Sequence, residues 1–141
     1  MPAELYSIRE AAEAFGVPVS TLRYYDDIAL VPASARRARV RCYDRAALAR
    51  LAYVLLWRSD AMLSVERTMA IVSSADRDHR NELIGRSLAD LDDRIARLTR
   101  ARNTLERMTN CPDDDPVGCI VTGARIRREV DAALFSIGAE A

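Results

Sequence analysis

The sequence predicts a mostly α protein in three parts: a winged helix-turn-helix head over residues 1–74, one long helix over 75–109, and a short loop and helix over 110–141. Three observations carry that prediction. Two short amphipathic segments flank a tight "GVP" turn near the N-terminus, an arginine-rich strand-like run follows them, and from about Asp76 to Met108 no proline or loop signal interrupts the chain. With 141 residues, half of them apolar, the chain can bury one modest core.

Each element has its own signal. In "SIREAAEAFG", Ser7 can cap a helix, Glu10 three residues on completes a capping box, Gly16 stops the helix, and Ile8, Ala12 and Phe15 share a face. Pro18 suits a first helical turn, and "VSTLRYYDDIAL" then gives a second helix that buries Leu22, Val19 and Ile28 while Ser20, Thr21, Arg23 and Tyr24 face outward. Such a pair occurs as plain packing, and it is also the arrangement in which a second helix enters the major groove of DNA. In "VPASARRARVRCYD", Pro32 ends any helix, and Val40, Cys42 and Tyr43 read as part of a small hairpin or wing. Asp44 caps a helix over "RAALARLAYVLLWRSD" with Leu48, Leu51, Leu55 and Leu56 as its stripe, and Ser64 caps the next, "VERTMAIV".

Composition excludes several classes. No charged segment followed by an apolar one opens the chain, so a cytoplasmic protein is expected. "LARLAYVLLW" is too short to cross a bilayer and contains Arg50, so no membrane partner is expected. Three cysteines without a leader point to reduced thiols rather than a disulfide scaffold. All 21 basic residues are arginine and the formal net charge is zero, but the charge is segregated. Five arginines and a single acid lie between Arg36 and Arg45, whereas Asp113, Asp114 and Asp115 sit together near the other end. Arginine's planar fork suits phosphates and base edges, and an arginine-laden wing beside a recognition helix supplies sequence-independent affinity for DNA. With a single histidine and no nucleophile-base pattern, no catalytic residues are assigned and an enzyme is not expected.

Read in order, these residues resemble the MerR family of bacterial transcription regulators. "YSIREAAEAFGVPVSTLRYYDDIALV" is similar to the family's helix-turn-helix, "RARVRCY" to its wing and "LSVERTMAIV" to its fourth helix, and the resemblance runs from residue 5 to about 109. It implies that Arg23, Tyr24 and Tyr25 touch double-stranded promoter DNA from the recognition helix, that Arg36 or Arg37, Arg41 and Tyr43 do so from the wing, and that Arg58 lies against a phosphate. It also implies that an effector makes the bound dimer bend and untwist an overlong promoter spacer, engaging RNA polymerase indirectly. Two positions depart from the family's pattern: Ala29 and Arg39 stand where glycine is usual. Both remove an easy route to positive φ, and an altered turn in the wing is expected.

Along the long helix, Ile84, Leu88, Leu91, Ile95, Leu98 and Leu105 alternate spacings of four and three, with Arg102 as the charged exception. A helix of some thirty residues is about 50 Å long, more than so small a domain can cover, so a homodimeric coiled coil is expected. The resemblance makes that pairing antiparallel.

Beyond it lies "NCPDDDPVGCIV", in which seven residues separate Cys111 from Cys119. Two thiolates are soft ligands that suit Cu(I), Ag(I) or another soft metal ion. The loop resembles that of the family's copper-responsive branch, at the place where the family holds its effector. Three features qualify that reading. Asp76, Arg77, Asp78 and His79 stand where that branch keeps an uncharged serine, Arg77 could neutralise a bis-thiolate, and His79 could complete a divalent site. A reversible disulfide is the competing use of the pair. In a third reading the thiols are idle and the amphipathic C-terminal helix, with Ile126, Val130, Ala133 and Leu134 on one face, does the work. A coiled-coil protein-interaction adaptor is the alternative from another class.

Overall fold

The computed structural model describes residues 4–139. Met1–Ala3, and Glu140 and Ala141 of the expected last helix, lie outside the described residues. The order is β1 (Tyr6–Ser7), α1 (Ile8–Phe15), α2 (Val19–Asp27), β2 (Ala35–Arg37), β3 (Val40–Tyr43), α3 (Arg45–Leu55), a π-helical turn (Leu56–Asp60), α4 (Val65–Val72), α5 (Arg77–Thr109) and α6 (Thr122–Ala139). Two compact units divide within α5, one up to Leu91 and one from Asp92 on.

The head forms where local signals and core demand agree. Ser7 Oγ accepts from the Glu10 amide at 3.3 Å and Glu10 Oε2 accepts from the Ser7 amide at 2.7 Å, the expected capping box. Gly16 closes α1 at φ 64°. Pro18 stands just before α2, its carbonyl accepting from Thr21 and Leu22. Asp44 Oδ1 takes the Ala47 amide at 2.8 Å to start α3, and Ser64 Oγ takes the Arg67 amide at 3.2 Å to start α4. Ile8, Ala11, Ala12, Leu22, Tyr25, Leu30, Val31, Tyr43, Leu51 and Val54 make one buried cluster. Val19, Ile28 and Phe15 pack on it half-buried.

Several details depart from the sequence reading. A two-residue strand, Tyr6–Ser7, pairs antiparallel with β3 and makes the wing a three-stranded sheet of order β1-β3-β2. Two residues carry too little alternation to signal a strand. The helix expected to run on through Asp60 widens into the π turn, where the Ala61 amide bonds the Leu56 carbonyl at 3.1 Å, five residues back. The extra residue swings the stripe, so Leu56 is 48% exposed while Val54 is buried in its stead.

The wing turn is also not what the missing glycines predicted. Ala38 and Arg39 form a two-residue hairpin loop between Arg37 and Val40, at φ 46° and 67°, and Ala29 ends α2 at φ 58°. The left-handed backbone is retained without glycine, so what the substitutions change is strain.

Asp76 Oδ1 accepts from the His79 amide at 2.9 Å at the start of α5. Ser87, a third of the way along, is buried and its hydroxyl bonds the Leu83 carbonyl. Beyond Leu91 every residue of this helix is exposed. No helix among the described residues is long and apolar enough to cross a membrane.

Candidate nucleic-acid interface and effector loop

The recognition helix α2 has one wet face and one dry one. Ser20, Arg23 and Tyr24 are exposed and Thr21 is half-buried, whereas Leu22 and Tyr25 turn inward. Tyr25 therefore departs from its expected role. It is 3% exposed, and its hydroxyl accepts from Arg58 Nε at 3.3 Å. Its helical position, three after Leu22, puts it on the core side, where a phenol fills volume and still reaches a partner at its tip. Arg58 is held from two sides, since Nη1 also donates to the Leu63 carbonyl. That fixes the guanidinium at the edge of the head, half-buried, instead of leaving it on a free tether.

Tyr43 departs in the same way. It has no exposed surface, because position 43 of β3 faces the core while the register pairs Arg36 with Arg41 and Arg37 with Val40 further out along the hairpin. Burial pushes its phenol pKa up. The exposed side chains of the wing are Arg36, Arg37 and Arg39, which form its basic tip.

Arg41 is committed elsewhere. Its Nε donates to Asp26 at 2.5 Å and its Nη2 to Asp27 at 2.9 Å, so one fork ties β3 to the end of α2. Asp26 also accepts the Ala33 amide at 2.9 Å. Burial pushes the Asp26 carboxyl up, but the Ala33 amide and the Arg41 guanidinium outweigh it and hold the group below the usual carboxylate range. No sequence pattern announced this clamp, since fifteen residues separate Asp26 from Arg41.

On α5, Ile84 and Leu91 are half-buried, while Leu88, Ile95, Leu98 and Leu105 are 55%, 59%, 69% and 68% exposed. Arg102 Nη1 reaches Glu106 at 3.4 Å along the same helix. His79 and Arg77 are exposed.

The second unit closes a loop between the last turns of α5 and the first turn of α6. Cys111, Asp113 and Cys119 come together there, with their ligand atoms all within 4.8 Å of one another. Cys119 is buried and Cys111 half-buried. The Thr122 amide donates to Cys119 Sγ at 3.1 Å. The Gly123 amide, then those of Thr122 and Val121, lower the Cys119 thiol pKa against the opposing effect of burial, so α6 begins on a thiolate-favouring sulfur. Gly123 is required by packing, because a Cβ there would run into the Val117 carbonyl. The loop borders a cavity of about 1140 Å³ lined also by Arg107, Met108, Arg125 and Arg128. Sequence reasoning found the two thiols and missed Asp113, because three consecutive aspartates look alike until the turn selects one.

Comparison with known proteins agrees with this geometry. A family model described as "MerR HTH family regulatory protein" matches residues 6–73. The HTH-type transcriptional regulator HmrR of Rhizobium leguminosarum bv. viciae is 31% identical over 120 residues, covering 80% of this chain and 92% of that one. Among solved structures, the N-terminal part of MtaN, a multidrug transporter activator of Bacillus subtilis, is 25% identical with a TM-score of 0.63, covering 74% of this chain and 97% of that one. HiNmlR, a MerR family regulator lacking the sensor domain and bound to promoter DNA, is similar in fold at 24% identity and a TM-score of 0.54, covering 76% of this chain and 89% of that one. Two helices and an arginine-tipped wing, followed by a rod and a thiol loop, are thus the parts of a known plan: the chain belongs to the MerR family of helix-turn-helix DNA-binding transcription regulators, which are not enzymes.

Proposed function

We propose that the protein works as a homodimer on promoter DNA, with Cys111 and Cys119 taking a soft metal ion, Cu(I) or Ag(I), as the effector that changes the shape of the bound duplex. The observation that carries the effector reading is the gathering of the two sulfurs, with a third donor, within 4.8 Å. A lowered Cys119 thiol pKa favours the deprotonated ligand. What supports the dimer is the row Leu88, Ile95, Leu98 and Leu105, each more than half exposed at heptad spacing on α5. Ser20, Thr21, Arg23 and Tyr24 on α2, with Arg36 and Arg37 on the wing, are the side chains offered to bases and phosphates. A two-fold dimer then matches a pseudo-palindromic operator, and RNA polymerase senses the effector through DNA shape.

The same sulfurs support a second reading, a reversible Cys111–Cys119 disulfide, because the shifted Cys119 thiol is the more reactive form. One experiment separates the two. Wild type and a Cys111→Ser/Cys119→Ser variant are titrated with Cu(I) and Ag(I) under reducing conditions, and promoter binding and transcription are followed with and without a thiol oxidant. Stoichiometric uptake and a transcriptional response by wild type alone are expected. Equal uptake by the variant removes the metal reading, and a response to oxidant alone puts the disulfide in its place.

A further inference from the structure

We propose that Asp113 is a third donor of this site, and that the resulting two-sulfur, one-oxygen set takes a borderline divalent cation, Zn(II) in the first instance, in addition to a monovalent ion. The proposal rests on the metal reading of the loop. A linear bis-thiolate uses two donors on opposite sides of the ion and has no use for a carboxylate oxygen lying within 4.8 Å of both sulfurs. A tetrahedral ion does. With Zn–S of about 2.3 Å and Zn–O of about 2.0–2.2 Å, donors sharing one such ion sit roughly 3.5–3.8 Å apart, so the loop needs to close by about 1 Å.

Donor chemistry points the same way. Thiolates are soft and carboxylates hard, and a mixed set matches a borderline ion better than a soft one. Charge agrees. Two thiolates and a carboxylate carry three negative charges, of which a divalent ion leaves one and a monovalent ion leaves two, in a cavity lined by Arg107, Arg125 and Arg128. The turn is selective among the three aspartates. Asp113 is the one grouped with the sulfurs among the described residues, whereas the Asp115 carboxylate lies against Gly118. Three protein donors leave a fourth position, open to the cavity, for water or an anion.

The full chain and its variants are titrated with Zn(II) alone, in competition with a chromophoric chelator, and separately with Ag(I) alone. Asp113→Ala and the isosteric Asp113→Asn are each expected to lower Zn(II) affinity at least about tenfold, since even outer-shell partners of a metal are worth that much, while leaving Ag(I) affinity unchanged. Asp114→Ala is the control and is expected to bind both ions as wild type does, with circular dichroism confirming equal helix content throughout. Wild-type Zn(II) affinity in both Asp113 variants overturns the proposal. So does an equal loss in Asp114→Ala, which makes the effect one of general negative charge. If the Cys111→Ser/Cys119→Ser variant loses both ions while the Asp113 variants lose neither, the thiolate site stands and the third donor falls. If that double variant keeps both ions, the metal reading falls with it.

Discussion

Asp26 holds the wing through two groups at once, the Ala33 amide and the Arg41 fork, and its carboxyl lies below the ordinary range as a result. A depressed carboxylate contributes stability that is present above its unfolded pKa and lost as the pH falls through its folded one. Thermal unfolding of wild type is therefore expected to show declining stability between about pH 5 and pH 2, and Asp26→Asn is expected to be less stable at neutral pH with a flatter acid limb. Arg23 contrasts with Arg41. It is exposed on the outward face of α2 with no ion-pair partner among the described residues. Arg23→Ala is expected to weaken promoter binding by about 1–3 kcal/mol without changing the melting temperature, as a gel-shift salt series beside a melting curve would report. Tyr25 and Tyr43 teach the complementary lesson about reading residues singly. Both sit in a motif that points to DNA, yet burial assigns them to the core. A phenol serves equally as anchor and as contact, and a sequence does not separate the two until the helix or strand face is known.

Among the elements, those with a closed local chemistry were legible. Ser7 with Glu10, Gly16, Asp44 and Ser64 each satisfy the free amides or carbonyls of a helix end, and the structure uses all four as expected. The two-residue β1 and the π turn after Leu55 were not legible, because each exists through tertiary pairing and not through propensity. The left-handed residues stand between these cases. Their conformation follows from the turn the chain must make, and the sequence declined to supply glycine. Ala29→Gly is accordingly expected to raise stability by up to about 1 kcal/mol in urea unfolding, relief of left-handed strain exceeding the added freedom of the unfolded chain. The effector loop was half legible: the Cys-to-Cys spacing drew attention to itself, while the choice of Asp113 depended on the turn at Pro112 and beyond.

At the scale of the molecule, α5 carries more apolar surface than its own chain covers beyond Leu91. Leu98→Glu is expected to shift sedimentation from dimer to lone chains and to abolish high-affinity binding to a two-half-site promoter. Weak, salt-sensitive attraction to any duplex should persist through the intact wing. The π turn at the other end of the head has a different implication, for how such a protein can vary. Because Leu56–Asp60 holds one residue beyond an ordinary turn, removing Ser59 would let the coil tighten, and everything downstream would rotate by about 100° relative to what precedes it. Arg58 would lose its hold on Tyr25, whereas replacing the exposed Ser59 by alanine would disturb nothing. In this segment length is under tighter constraint than letter: a deletion scan should yield protease-sensitive protein at the very sites where a substitution scan is silent.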